Sequence, residues 1–305
     1  MAYSTNWSIE NDNLIKQNSS GPPLREYAEA NLEICRDVVS GRNLYKDEQD
    51  DESGAKMVAN ISSAYVPAFC QASKNDESSP YKNGYDLGWF GLGDEKRQKG
   101  PRELVDDALP LGHRPPCDFY YGAVELTGSG IRFYGDVCLV LRRKALEPST
   151  LVLDRNSFDL ISEPLRTRIR AAQIGEKPAR KLEAKRLAGT WKADVGDMAA
   201  VKAFQTIGFK PRRFTSGQVA EAIRHDEDYL EVIKYKSFST DDIEEARFSA
   251  TDAAYDALTA ERDAKGPAPR LEALLWRHRR RIAEEQLRES NVPVRVVTTS
   301  GRSRD

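Results

Sequence analysis

Apolar and polar positions alternate along this chain with two different periods. Leu24, Tyr27, Ala28, Leu32, Cys35 and Val39 recur at helical spacing, and Gly41 stands where such a helix would end. Met57, Ile61, Ala64 and Tyr65 share one helical face, which predicts a second helix from about Gly54 to Cys70, ended or kinked by Pro67. Short helices are expected at 102–109, 197–207 and 216–224, the last with Ser216 as N-cap. A longer helical stretch runs from Ala250 to Glu289, interrupted at Lys265-Gly266-Pro267. The other period is that of strands: Tyr120–Leu126, Ile131–Leu141, a short piece at Val152-Leu153, Tyr229–Tyr235, Ile243–Phe248 and Val292–Thr298. Val137 to Leu141 is nearly all apolar, as a strand buried on both faces requires. Alternation in Tyr229–Tyr235 puts Tyr229, Glu231, Ile233 and Tyr235 on one side.

Strands in two blocks among separate helices predict an α+β fold, with a mixed, mainly antiparallel central sheet and helical N-terminal and C-terminal elaborations. Residues 1–21, polar and closed by Gly21-Pro22-Pro23, are expected to be a flexible arm, and 301–305 a tail. Between them, 22–300 is expected to form one domain. Its parts are a helical region at 22–115, a sheet core at 116–160 and 228–250, a basic helical insertion at 161–227, and C-terminal helices with a strand at 251–300. The acidic tract Asp47 to Glu52 reads as a solvated loop. The aromatic-rich passage 71–100 reads either as an ordered loop whose Trp89 and Phe90 plug into the core or as a lid.

Composition narrows the chemistry. At 305 residues and 39% hydrophobic content the chain can bury a substantial core, while 31% charged residues require a heavily solvated surface. No apolar run approaches the roughly 18–20 residues of a membrane helix, and the N-terminus lacks the basic and apolar regions of a secretory signal. A cytoplasmic protein without a membrane partner is expected. Cys35, Cys70, Cys117 and Cys138 are far apart and read as reduced, structural thiols. His113, His225 and His278 are the only histidines, so no metal site is expected and a Ser-His-Asp triad is improbable. Chemistry must rest on carboxylates, arginines, hydroxyls and tyrosines.

Glu231 is the foremost candidate: a carboxylate in mid-strand among aromatic and apolar neighbours incurs a desolvation cost unless it is paired or faces a cleft. The plain alternative is an edge-strand residue facing water or paired with Lys234 or Lys236. Asp154-Arg155-Asn156-Ser157 forms a polar cluster at the end of the Phe119 to Asp159 block, a usual position for a binding site. The stretch 166–192 is strongly basic and broken at Gly175 to Pro178, which suits either contact with nucleic-acid phosphates or a solvated helical face.

The order of a strand with Arg132 and Tyr134, a mid-chain hydroxyl at Ser157 and a late strand carrying Glu231 resembles ADP-ribosyltransferases. The blocks RFYGDVCLVLRRKALEPSTLVLDRNSFD and DYLEVIKYKSFSTDDIEEARF are similar to bacterial domains of the toxin and effector type. Neither the family's Ser-Thr-Ser triplet nor its Glu-x-Glu or Gln-x-Glu pair is present, position 229 being Tyr. The resemblance implies cleavage of NAD at the nicotinamide–ribose bond, transfer to a protein or nucleic-acid target, and a possible neutralising partner. It implies that Glu231 is catalytic, that Arg132 binds the diphosphate or ribose, that Tyr134 or Tyr229 stacks on nicotinamide, and that Asn156 and Ser157 orient the ribose, with Asp154 beside them. Arg132 could equally pair with Asp136 or Asp154. The alternative function is a nucleic-acid-binding protein that uses the basic hairpin and carries out no NAD chemistry.

Overall fold

A computed structural model describes residues 5–41, 54–89, 100–110, 114–173, 175–224, 229–266 and 268–298. In chain order its elements begin with α1 (Trp7–Asn18), α2 (Pro22–Ser40), β1 (Lys56–Ile61), α3 (Val66–Lys74), α4 (Pro101–Asp106), β2 (Phe119–Glu125), β3 (Val137–Leu141) and β4 (Leu151–Leu153). They continue with α5 (Glu163–Ala172), α6 (Glu176–Leu187), β5 (Ala188–Thr190), α7 (Val195–Ile207), α8 (Ser216–Ile223) and β6 (Glu231–Tyr235). The last are β7 (Ile243–Ser249), α9 (Ala250–Lys265), α10 (Leu271–Glu289) and β8 (Val294–Val297). The fold is α+β with mainly antiparallel strands, as predicted. Among the described residues no helix is long and apolar enough to cross a membrane.

Where the sequence suggests one domain, the chain threads two compact units, each assembled from separated segments. The first comprises Met1–Ala55, Asn83–Leu126 and Leu146–Tyr235. Its strands run in the order β5-β4-β6-β2, all antiparallel. Glu231 lies opposite Ala123 on β2 and Leu153 on β4, so β6 is an interior strand and all five of its residues are buried. One face of these strands, with Phe119, Leu151, Ile233 and Tyr235, packs on Val105 of α4, Leu160 and Leu187 of α6. A second apolar cluster joins α1, α2, α7 and α8 through Ile15, Leu32, Phe204 and Val219.

The expected flexible arm is instead largely helical. Asn6 caps α1 by accepting the Ile9 N–H, and buried Trp7 donates its indole N–H to the Ala188 carbonyl at 3.0 Å. That anchor and the burial of Ile15 supply what a polar N-terminal sequence does not advertise. Trp89, offered by the sequence as a core plug, is 70% exposed, and Phe90 lies outside the described residues, as do the acidic tract and the tail.

The second unit comprises Lys56–Lys82, Thr127–Ala145 and Lys236–Asp305. Its strands lie in the order β1-β3-β7-β8; β8 runs parallel to β7 and the other pairs are antiparallel. The predicted helix at 54–70 is here a strand followed by a helix. Lys56–Ile61 pairs with β3, and Pro67 sits in the first turn of α3, where its missing N–H costs nothing. Pairing in a sheet outweighs a helical pattern that only a few apolar positions carry.

The strand expected at Ile131–Leu141 begins only at Val137. Before it the chain turns, because Gly135 lies against the Ile61 backbone so closely that a Cβ would come within 2.1 Å of the Ile61 carbonyl carbon. Asn60 fastens this turn, donating from Nδ2 to the Ser129 and Gly135 carbonyls and accepting the Ile131 N–H at 2.8 Å. Arg132 and Tyr134 are therefore in a turn and not on a strand.

Candidate functional site

The site is built around Glu231 in the first unit. Helix α4 starts at Gly100, whose N–H donates to the Glu103 carboxylate at 2.7 Å, with Pro101 in the first turn. Positions four apart then share a face, so Arg102 and Asp106 meet: Arg102 Nε donates to Asp106 Oδ1 at 2.8 Å. Tyr121 of β2 donates its hydroxyl to the same Oδ1 at 2.5 Å, and Tyr85 donates to Oδ2 at 2.6 Å. The Arg102 guanidinium carbon stands 3.5 Å from the centre of the Tyr121 ring, a cation–π contact.

Glu231 meets this group from β6. Asn156 Oδ1 accepts the Phe158 N–H at 2.9 Å and starts a tight helical turn over Ser157–Ile161. That turn aims the Ser157 N–H at Glu231 Oε2, 2.8 Å away. The Ser157 hydroxyl lies 3.5 Å from Arg102 Nη1, so one serine touches both charged groups. Glu231 is 3% exposed and Ser157 is fully buried. Burial pushes the Glu231 carboxyl above its ordinary value; the Arg102 charge and the Ser157 hydrogen bonds oppose that rise, and Asp106 adds to it. Burial and the adjoining Asp106 likewise raise the Tyr85 phenol, while burial lifts Tyr121 against the opposing pull of Arg102.

The plain readings of Glu231 are replaced by this geometry. It lies on an interior strand and not at an edge, and Lys234 directs its ammonium to the Tyr235 carbonyl at 3.0 Å. Of the residues singled out from sequence, Ser157 is bonded to Glu231. Asn156 Nδ2 reaches the Tyr229 hydroxyl at 3.3 Å, and Asp154 accepts from Arg155 Nε at 3.0 Å. Tyr229 precedes β6 and is buried, so its ring is not presented as an open stacking surface. Arg132 and Tyr134 belong to the second unit. There Arg132 Nη2 contacts both oxygens of Asp252 at 2.7 Å, neither Asp136 nor Asp154 being its partner, and Tyr134 is 48% exposed with its ring edge-on to Phe133.

Sequence reasoning missed Arg102, Asp106, Tyr121 and Tyr85. The first two carried a signal: Gly100-Pro101-Arg102-Glu103 is a helix start, and Arg and Asp follow at i and i+4. The tyrosines carried none, because only the pairing of β2 with β6 brings Tyr121 beside the glutamate strand.

In the basic hairpin, Arg166 and Arg170 pair with Glu163, Arg168 and Arg186 with Glu183, and Arg180 with Glu176. These three carboxylates offset only part of the segment's positive charge, which also includes Lys177, Lys181 and Lys185. Among the described residues no group of three or more His, Cys, Asp or Glu side chains could hold a metal ion, and all the cysteines are free, Cys35 with its thiol pushed up to about 12 by burial. No family model, no curated protein and no solved structure matches this chain.

Proposed function

We propose that the Glu231 cluster is an NAD-handling centre of ADP-ribosyltransferase type, with Arg102 in the basic role that the sequence order suggested for Arg132. The observation that carries the reading is the 2.8 Å hydrogen bond from the Ser157 backbone N–H to the Glu231 carboxylate, which brings a mid-chain serine to a late-strand glutamate across 74 positions. Loss of nicotinamide leaves an oxocarbenium-like ribosyl cation, and a fixed carboxylate stabilises that developing charge. Glu231 supplies the carboxylate. Arg102, held in place by Asp106 and stacked on Tyr121, presents a planar guanidinium suited to phosphate or ribose oxygens. The Ser157 hydroxyl orients the ribose. The acceptor is a macromolecule, protein or nucleic acid.

At 3% exposure Glu231 is covered, so a dinucleotide reaches it only when the site opens. The test is nicotinamide release from NAD by purified protein, with NAD binding measured alongside. Wild-type protein is expected to bind and cleave NAD, and Glu231→Gln to bind but not cleave. Absence of both binding and cleavage in the wild type, or undiminished cleavage in the variant, overturns the proposal.

A further inference from the structure

We infer that the groove between α9 and α10 docks an acidic amphipathic helix of a partner protein. The inference stands on the second unit alone and does not depend on NAD chemistry. These helices follow one another around Gly266, which ends α9. Between the end of α9 and the start of α10 lies a concavity of about 300 Å³. One wall is Tyr255, Leu258 and Arg262 on α9; the other is Pro269, Arg270 and Ala273 at the start of α10.

Tyr255 is 54% exposed and Leu258 57%, and Thr259 and two arginines share the lining with them, so this is an open amphipathic groove and not an enclosed ligand cavity. Large apolar side chains exposed together at the walls of one groove mark a contact surface more often than scattered surface residues do. Tyr255, Leu258 and Arg262 stand at i, i+3 and i+7, a stripe about 10 Å long at the helical rise, which matches two turns of a partner helix.

Charge selects the partner. Three of the four carboxylates of α9 are committed to arginines other than those of the groove: Asp252 to Arg132, Asp256 to Arg280, and Asp263, more distantly, to Arg277 at 3.9 Å. Arg262 and Arg270 have no ion-pair partner among the described residues, and both border the groove beside Tyr255 and Leu258. Two guanidiniums placed beside exposed Tyr255 and Leu258 complement a helix that carries leucine-type side chains on one face and carboxylates at its edges.

The test measures fluorescence anisotropy of a labelled Glu/Leu amphipathic peptide of about 15 residues titrated with the whole protein. Peptides of Glu alone and of Lys/Leu serve as comparisons, together with phosphatidylglycerol vesicles. Saturable binding of the Glu/Leu peptide is expected, weakened at least about tenfold by Arg262→Glu and by Leu258→Asp, with neither comparison peptide bound. Both substitutions fall on exposed positions, and an unchanged thermal melt establishes that the fold is retained. Failure of the Glu/Leu peptide to saturate, equal binding of the Glu-only peptide, or indifference to Arg262→Glu overturns the inference. Binding of the vesicles with none of the peptide assigns the groove to an anionic membrane surface and overturns it too.

Discussion

Each unit buries a cluster of charges, and the two clusters are satisfied differently. In the second unit Arg132 grips both oxygens of Asp252, Arg280 bonds Asp256 and reaches Asp136 at 3.6 Å, and Asp136 also accepts the Ser63 N–H at 2.7 Å. Each of these carboxylates lies in direct contact with a guanidinium, Asp256 and Asp136 sharing Arg280, and Asp252 lies in the first turn of α9, where negative charge is favoured. In the first unit one of the two carboxylates has no guanidinium in direct contact. Arg102 is hydrogen-bonded to Asp106, which also takes two phenol hydroxyls, and Glu231 is left with Ser157 and the through-space attraction of Arg102. Carboxylates in direct contact with guanidiniums fasten chain segments together. A buried carboxylate without that contact is kept at high energy, which is a resource for binding or stabilising positive charge.

Substitutions can break this contrast, and the largest effect is expected at Arg102. Arg102→Ala strands Asp106 and Glu231 without a cation and should cost about 3–5 kcal/mol in urea unfolding. Arg102→Lys keeps the charge but loses the planar fork, so it should recover part of that stability while NAD binding stays weak. A loss below 1 kcal/mol on Arg102→Ala would mean that the first-unit charges are not held as described.

Next in size is Glu231→Gln, expected to lower nicotinamide release about 10²–10³-fold, as removal of an electrostatic stabiliser does. The amide still accepts the Ser157 N–H, so the unfolding midpoint should change little, which separates a chemical role from a structural one. Arg132→Ala should cost about 1–3 kcal/mol by unpairing Asp252, whose side chain keeps some solvent contact, and should leave NAD turnover intact. If Arg132→Ala instead abolishes turnover with the melt unchanged, the basic role returns to Arg132 and the assignment to Arg102 fails.

The smallest effect is a pH dependence. The folded state raises the Glu231 pKa, so the native protein holds that proton more tightly than the unfolded chain does. This group's contribution to stability is therefore fully present below the unfolded carboxyl value and falls as pH rises towards and through the folded pKa. Gln has no such titration. The melting temperature of Glu231→Gln relative to wild type should rise as pH increases above about 4, and a flat difference would show that Glu231 is not held against its charge.

Much of the local structure was legible in the sequence because it depends on neighbours a few residues apart. The helix 22–40 ending at Gly41, the strands carrying Val137–Leu141 and Glu231–Tyr235, and the break between α9 and α10 all follow from periodicity and from Gly or Pro. So did the α+β class, and Glu231 stood out as a mid-strand carboxylate, although an edge position facing water stayed open until β6 was seen to lie between β2 and β4. Ser157 was legible as part of a polar cluster after a strand, although its partner was not.

What only the tertiary structure decided depends on contacts between residues far apart in the chain. Whether Lys56–Ile61 is helix or strand was settled by its pairing with β3, since its apolar pattern fits both. Trp7 turns a polar N-terminus into a docked helix through a hydrogen bond to Ala188, 181 residues away. The basic partner of Glu231 was decided in the same way: Arg132 and Arg102 are equally arginines in the sequence, but a close turn at Gly135 and the carboxylate of Asp252 hold one, and the pairing of β2 with β6 under α4 brings the other to Ser157 and Glu231. Residue types and spacing determined which side chains could carry charge at a buried site; long-range strand pairing and helix packing determined which of them met.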